Sequence, residues 1–336
     1  MTSRIKITAQ NGITINYDDK RIDMDPVRKS NGDYRFISHA HMDHLGGKNS
    51  NGSIIASKET VFLAAQRGVN LKLASNIPKE ITLVNSGHIL GSRGIILGEG
   101  KVFYTGDFAV KPRAFLEGCD PEECEVLIIE STFGKKDFIF PSISDIQEKV
   151  NLLISELFSK GIPVILMGYS LGKAQILSYL FSSWDPIYVE KSVWEMNKAH
   201  IDIGVDIRED LITYDSAKQN GVLKKKPWIL ISPMQNRYNN FVADLKKDYG
   251  AITVAFSGWS IDPRYKYKMK VDHAFPLSDH SDFYELVDMA KRCNPNRIYT
   301  VHGFAKEFAT HLRSMGFDAR PLSSGQSSIS EYFLDD

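Results

Sequence analysis

Short apolar runs alternate with turn residues through the first hundred positions. Segments 5–8, 13–17, 35–38, 53–56, 81–84, 94–97 and 101–105 are rich in β-branched or aromatic residues and end near Gly, Asn or Asp, which predicts strands. A helix is predicted at 58–67 and another just after the His39–His44 stretch. Val126-Leu127-Ile128-Ile129-Glu130 is a continuous apolar run, the pattern of a strand buried on both faces.

The pattern then changes to strand alternating with helix. Residues 145–160 carry apolar positions at helical spacing, with Ser144 placed as cap and Gln147 three residues on. Strands are predicted at 163–167, 228–232 and 252–256, with helices at 173–181 and 239–247. Such alternation predicts βαβ units and a parallel sheet. From about His273 a loop leads to helices at 283–291 and 305–315, with strands at 297–301 and near Ala319.

Composition narrows the class only a little. The chain has 336 residues, 43% hydrophobic and 24% charged, ordinary values for a globular protein of two domains or one with a large insertion. No run approaches the roughly 18 apolar residues of a membrane helix, and the first residues lack a signal-peptide core, so a cytoplasmic protein is expected. The three cysteines, Cys119, Cys124 and Cys293, read as reduced thiols rather than a disulfide framework. A formal net charge of zero argues against a whole-surface grip on nucleic acid, though not against a local basic groove.

Chemistry concentrates in His39-Ala40-His41-Met42-Asp43-His44, directly after a predicted strand. In an extended loop His39 and His41 point the same way and can hold one metal. Asp43 and His44 turn with the chain and can face a second. His88, in Ser86-Gly87-His88-Ile89-Leu90-Gly91-Ser92, and Asp107, in Tyr104-Thr105-Gly106-Asp107-Phe108, are further candidate ligands. Asp107 is placed to bridge two ions. Imidazole with carboxylate suits zinc better than calcium or magnesium. Three of nine histidines within six residues make core packing a poor explanation.

In their order these segments resemble the metallo-β-lactamase superfamily. Ile129-Glu130-Ser131-Thr132-Phe133-Gly134, Ser278-Asp279-His280-Ser281-Asp282 and Val301-His302-Gly303 resemble three successive motifs of its β-CASP nucleases, a group that includes RNase J and the Artemis-type DNA nucleases. The resemblance covers nearly the whole chain. It implies an α/β fold: a metallo-β-lactamase αββα sandwich (1–135 and 272–336) with an inserted parallel α/β β-CASP domain (136–271). It implies two Zn²⁺ ions, with Mn²⁺ as substitute. One would be held by His39, His41 and His88, the other by Asp43, His44 and His302, with Asp107 between them. Asp25 would orient ligands from behind, with Asp23 as the alternative. Glu130 would bond a ligand or His280, and His280 would act as general acid at the scissile phosphate. Helix capping is the plainer alternative for both Glu130 and His280.

The implied function is hydrolysis of phosphodiester bonds in single-stranded nucleic acid, DNA or RNA, in DNA repair or RNA processing. Gly168-Tyr169-Ser170-Leu171-Gly172-Lys173-Ala174-Gln175 resembles a segment of a short prokaryotic exonuclease branch, DNA-ligase-associated or mRNA 3′-end-processing-like. That branch implies neither the N-terminal KH domains nor the C-terminal domain of longer members. Histidine at the third motif, His302, is associated with RNA-acting members, while the ligase-associated branch leans toward DNA. A DNA ligase, RNA-processing factors and a second copy of the chain are the partners this leaves open, with no membrane partner. For the substrate, Ser170 and Lys173 lie where a strand-to-helix turn presents free N–H groups. Arg264-Tyr265-Lys266-Tyr267-Lys268-Met269-Lys270, read as a strand, puts cations on one face and rings on the other. The rival functions are a small-molecule metallohydrolase of thioesterase or lactonase type, and a serine esterase using Ser170 in a G-x-S-x-G turn.

Overall fold

The computed structural model describes residues 5–9, 12–46, 52–225, 227–234 and 240–322. The chain folds into two compact units. One combines the described residues up to 112 with 116–138 and those from 280 on, and the other combines 113–115 with 139–279.

The first unit is built on two sheets. A five-stranded sheet runs Ile5–Thr8, Ile13–Tyr17, Lys20–Met24, Tyr34–Phe36, Ser53–Ile55. Its first three strands are antiparallel neighbours and its last three are parallel. A six-stranded sheet runs Ala319–Pro321, Arg297–Val301, Val126–Glu130, Val102–Tyr104, Arg93–Leu97, Ile81–Asn85. Here the first four strands are parallel.

The run at 126–130 shows why two faces must be apolar. Ile128 packs with Ile15, Ile22 and Phe36 of the other sheet. Leu127 and Ile129 face the opposite way, onto Phe283, Leu286 and Met289 of helix Phe283–Cys293 and Phe308 and Leu312 of helix Ala305–Ser314. A strand alternates its side chains, so one five-residue segment serves both cores.

The second unit holds six parallel strands in the order Ile212–Thr213, Ile187–Val189, Ile229–Pro233, Val164–Gly168, Ile252–Phe256, His273–Phe275. Ile165, Met167, Leu230 and the fully buried Trp228 form the core on one of its faces. Strand His273–Phe275 pairs with Ile252–Phe256, so the segment expected as a loop after His273 belongs to this sheet and the unit extends to 279. Among the described residues no helix is long and apolar enough to cross a membrane.

Several local expectations are corrected. The cap of helix Ile143–Ser159 is Ser142, whose Oγ accepts from Asp145 N at 3.1 Å. Gln147 instead donates to Leu180 O at 2.7 Å. The helix expected just after the His39–His44 stretch lies largely outside the described residues; within the stretch the chain makes one turn, Leu45 N bonding His41 O at 3.2 Å. Residues 47–51 lie outside the described set, as does Asn239, the expected start of the helix observed at Phe241–Tyr249. Strand Lys20–Met24 and helix Lys191–Asp202 are further elements not expected above.

Candidate metal centre

The first unit places its candidate chemistry beyond the carboxyl ends of strands, where parallel sheets leave their side chains free to converge. His39 and His41 follow strand Tyr34–Phe36, and His88 follows Ile81–Asn85. Asp107 follows Val102–Tyr104, Glu130 ends Val126–Glu130, and His302 follows Arg297–Val301.

His39 Nε2 lies 3.0 Å from His41 Nδ1, and His88 Nε2 lies 3.2 Å from the same atom. An imidazole nitrogen carries either one in-plane lone pair or one proton, so both contacts are not good hydrogen bonds at once. One cation accepting all three lone pairs resolves the conflict. His39 is fully buried, and Ser38 Oγ fixes its Nδ1 at 2.9 Å, which aims Nε2 at the cluster. Burial, reinforced by the neighbouring His44, His88 and His41, holds the His39 pKa well below the usual range, so its lone pair is available.

Asp107 Oδ2 faces both histidine sets, 3.4 Å from His44 Nε2 and 3.9 Å from His39 Nε2. Burial works against its charge, but His44, His280 and His39 outweigh that and hold its carboxyl well below the usual range. For His44 burial opposes charge too, yet Asp43, Asp107 and Asp25 raise its pKa well above the ordinary value. Asp43 is the exposed member, its Oδ2 3.7 Å from His44 Nε2. The sets His39–His41–His88, His39–His44–Asp107 and His88–Asp107–His280 each bring their ligand atoms within 4.8 Å of one another. The His302 ring lies 6.2 Å from that of His44, and His302 Nε2 is buried with no hydrogen-bond partner among the described residues. An orphaned nitrogen beside crowded imidazoles and a buried carboxylate fits a nitrogen- and oxygen-ligated metal such as zinc.

Around these residues the carboxylates are fully occupied. Asp25 accepts from Ser38 N at 2.7 Å and from Tyr104 Oη at 3.0 Å, and its Oδ2 faces His44 Nδ1 at 3.3 Å. Asp23 instead accepts from Thr14 Oγ1 at 2.6 Å, Ser30 Oγ at 2.5 Å and Gly32 N at 3.2 Å, fastening the loop before the strand Tyr34–Phe36. Of the two, only Asp25 bonds this cluster. Glu130, fully buried, accepts from Phe108 N at 3.0 Å, Thr132 N at 3.1 Å and His280 Nδ1 at 2.7 Å. The His280 ring then lies 4.5 Å from that of His88. The helix that follows is capped by Asp282, not His280.

With this geometry in place, the likeness to known proteins acquires a physical basis. Residues 264–320 match the Zn-dependent metallo-hydrolase RNA specificity domain. The chain is 32% identical over 299 residues to a probable DNA ligase of Opitutus terrae, covering 84% of this chain and 28% of the ligase. It belongs to the β-CASP metallo-β-lactamase family. Transcription termination factor FttA of Methanocaldococcus jannaschii is 30% identical over 146 residues, 40% of this chain and 23% of that one. An RNase J-like protein of the same organism is 29% identical over 197 residues, 47% of each chain. The β-CASP chain thus spans between about a quarter and a half of these relatives.

The second unit of this β-CASP chain corrects the expected phosphate cradle. Lys173 is 2% exposed; its Nζ donates to Asp279 Oδ1 at 2.6 Å and Leu277 O at 2.7 Å. Burial lowers its pKa, Asp279 opposing. The turn's Gly172 N is taken by Gln175 Oε1 at 2.8 Å, and Gln175 Nε2 reaches Ser170 O at 3.1 Å. Lys173 and the turn N–H are therefore spent inside the fold, while Ser170 stays half-buried. The segment from Arg264 is not a strand but carries the short helix Tyr265–Lys268, because Asp262 Oδ1 accepts Arg264 N at 2.9 Å and starts a turn. Tyr265 is buried and Tyr267 is 73% exposed, so the rings do not share a face. Arg264 pairs with Asp262 at 2.8 Å, and Lys266 Nζ sits 5.0 Å above the Tyr267 ring.

Two supporting residues, Tyr104 and Ser38, escaped the sequence reading. Tyr104 left one trace: a buried tyrosine in an apolar strand needs a partner for its hydroxyl, and Asp25 is that partner.

Proposed function

We propose that this chain is a zinc-dependent phosphodiesterase acting on single-stranded nucleic acid, an exonuclease of DNA repair or RNA processing. The observation that carries the reading is the buried Asp107 carboxylate set between two groups of imidazoles, 3.4 Å from one and 3.9 Å from the other. His39, His41 and His88 would hold one ion; Asp43, His44 and His302 would hold the second, Asp107 serving both. Zinc, or manganese in its place, supplies Lewis acidity and a water nucleophile near neutral pH when bound.

The chain's own residues supply the rest. Asp25 holds Ser38 N and faces His44, fixing both ends of the ligand loop. Glu130 accepts the Nδ1 proton of His280, which orients the ring and supports the imidazolium form in which Nε2 carries the second proton. His280 Nε2 is the group that would deliver a proton to the leaving oxygen. A serine esterase using Ser170 would leave the whole histidine–aspartate cluster without a role.

The RNA specificity domain and the RNase J-like relative support RNA as substrate. The ligase relative supports DNA, with a DNA ligase as partner. The test is end-labelled single-stranded DNA and RNA of one sequence, with added zinc or manganese and with chelator-treated and Asp43→Ala controls. Degradation lost in both controls is expected, and the ladder gives substrate and polarity. Intact polymers in the presence of protein-bound zinc would refute the nuclease reading.

A further inference from the structure

We infer that Ser131 is a positioning residue that holds His302 in its ligating conformation; the inference rests on His302 being a metal ligand, as proposed above. Strands Val126–Glu130 and Arg297–Val301 are parallel neighbours with Glu130 opposite Val301. The residues that leave the two strands therefore travel side by side. Immediately past the end of its strand, His302 adopts φ +60, a left-handed conformation that is uncommon for a non-glycine residue and costs it energy that the surroundings must offset.

Ser131 supplies that constraint. Its side chain is fully buried, and its Oγ lies 2.7 Å from Val301 O and 2.9 Å from His302 O. The left-handed turn brings these two successive carbonyls toward one point, where a single hydroxyl proton is shared between them. Ser131 O in turn accepts Phe304 N at 2.8 Å, closing the turn from the other side. Gly303 completes the fit: a Cβ there would lie 2.4 Å from Thr132 Cα and 2.6 Å from Ser131 O.

Relaxing His302 to negative φ would separate the two carbonyls and swing the imidazole away from His44. Removing the Ser131 hydroxyl leaves two carbonyls without their donor and removes the reason for the turn. The effect on metal binding passes entirely through His302, since Ser131 has its hydroxyl on backbone and not on a ligand. This gives the serine of the Glu130-Ser131-Thr132 segment a function separate from that of Glu130, which acts on His280.

The test measures zinc affinity of the purified full chain by competition with a chromophoric chelator. Wild type, Ser131→Ala, His302→Ala and the double variant are compared. Ser131→Ala is expected to weaken the more weakly held zinc equivalent by about tenfold or more, the usual scale for groups that orient ligands. In the His302→Ala background the serine change should add nothing, because a residue acting only through His302 has no further route. Ser131→Cys, of similar volume with a weaker donor, is the second variant and should show the same order with a smaller loss. Unchanged affinity in both serine variants, or a loss that adds in full to that of His302→Ala, would overturn the inference. If His302→Ala alone leaves both equivalents intact, the ligand assignment itself fails and this inference with it.

Discussion

Replacing Lys173 with methionine separates a structural role from a substrate-binding one. The side chain is 2% exposed, and its Nζ lies 2.6 Å from Asp279 Oδ1, itself 6% exposed as a side chain. Methionine keeps an unbranched stem of similar length but removes the charge. Asp279 then loses the Lys173 ammonium from its buried carboxylate, and Leu277 O loses a donor at 2.7 Å. Breaking a buried ion pair from one side costs about 3–5 kcal/mol. A solvated surface lysine that met phosphates only during binding would cost less than about 0.5 kcal/mol. The assay is urea unfolding followed by tryptophan fluorescence. All four tryptophans, Trp184, Trp194, Trp228 and Trp259, lie in the second unit with Lys173, so the signal reports on that unit. With a slope of about 2 kcal/mol per molar urea, the midpoint should fall by about 2 M. Lys173→Met/Asp279→Asn should recover part of that loss, since the carboxylate that Lys173 neutralised is then neutral itself. A shift below about 0.3 M, accompanied by weaker nucleic-acid binding, would refute the structural assignment.

Burial pushes the His200 imidazole down to about 4, from an ordinary value near 6.5. The unfolded chain therefore takes up this proton first as pH falls. Stability is fully present above pH 6.5 and declines toward pH 4, by about 3 kcal/mol for this group alone. Urea midpoints at pH 7.5 and 5 should differ less in His200→Leu, and an equal dependence would refute the claim. Asp107→Ala should reduce bound zinc more than Asp43→Ala, because Asp107 faces both histidine sets and Asp43 is mostly exposed; elemental analysis after dialysis checks the order. Glu130→Gln should lower kcat by about 100-fold with little change in KM, since His280 loses its carboxylate partner while the zinc ligands stay; steady-state cleavage of a labelled single strand measures it, and unchanged kcat would remove Glu130 from the mechanism.

The sequence by itself determined what is local. The spacing of His39, His41 and His44 needs only a strand followed by a turn to bring three side chains together, and the short apolar runs at 126–130 and 163–167 need only their unbroken apolar character to indicate the buried strands observed at Val126–Glu130 and Val164–Gly168. The order of motifs along the chain was sufficient to indicate the family. Tertiary structure decided whatever depends on a distant partner. Asp23 and Asp25 are indistinguishable by local pattern, and only Tyr104, 79 residues away from Asp25, and His44 show which carboxylate faces the ligands. Lys173 looked free for phosphate until Asp279, 106 residues on, took its charge. The alternation from Arg264 to Lys270 fits a strand, but so short a segment carries too little period to outweigh one aspartate at 262 that starts a helical turn. Ser131 gave no signal of its own, because its partners are backbone carbonyls of a strand 170 residues later. Side-chain type and spacing set which chemistry is available. Long-range pairing, which no local pattern encodes, sets which of those groups remain to perform it.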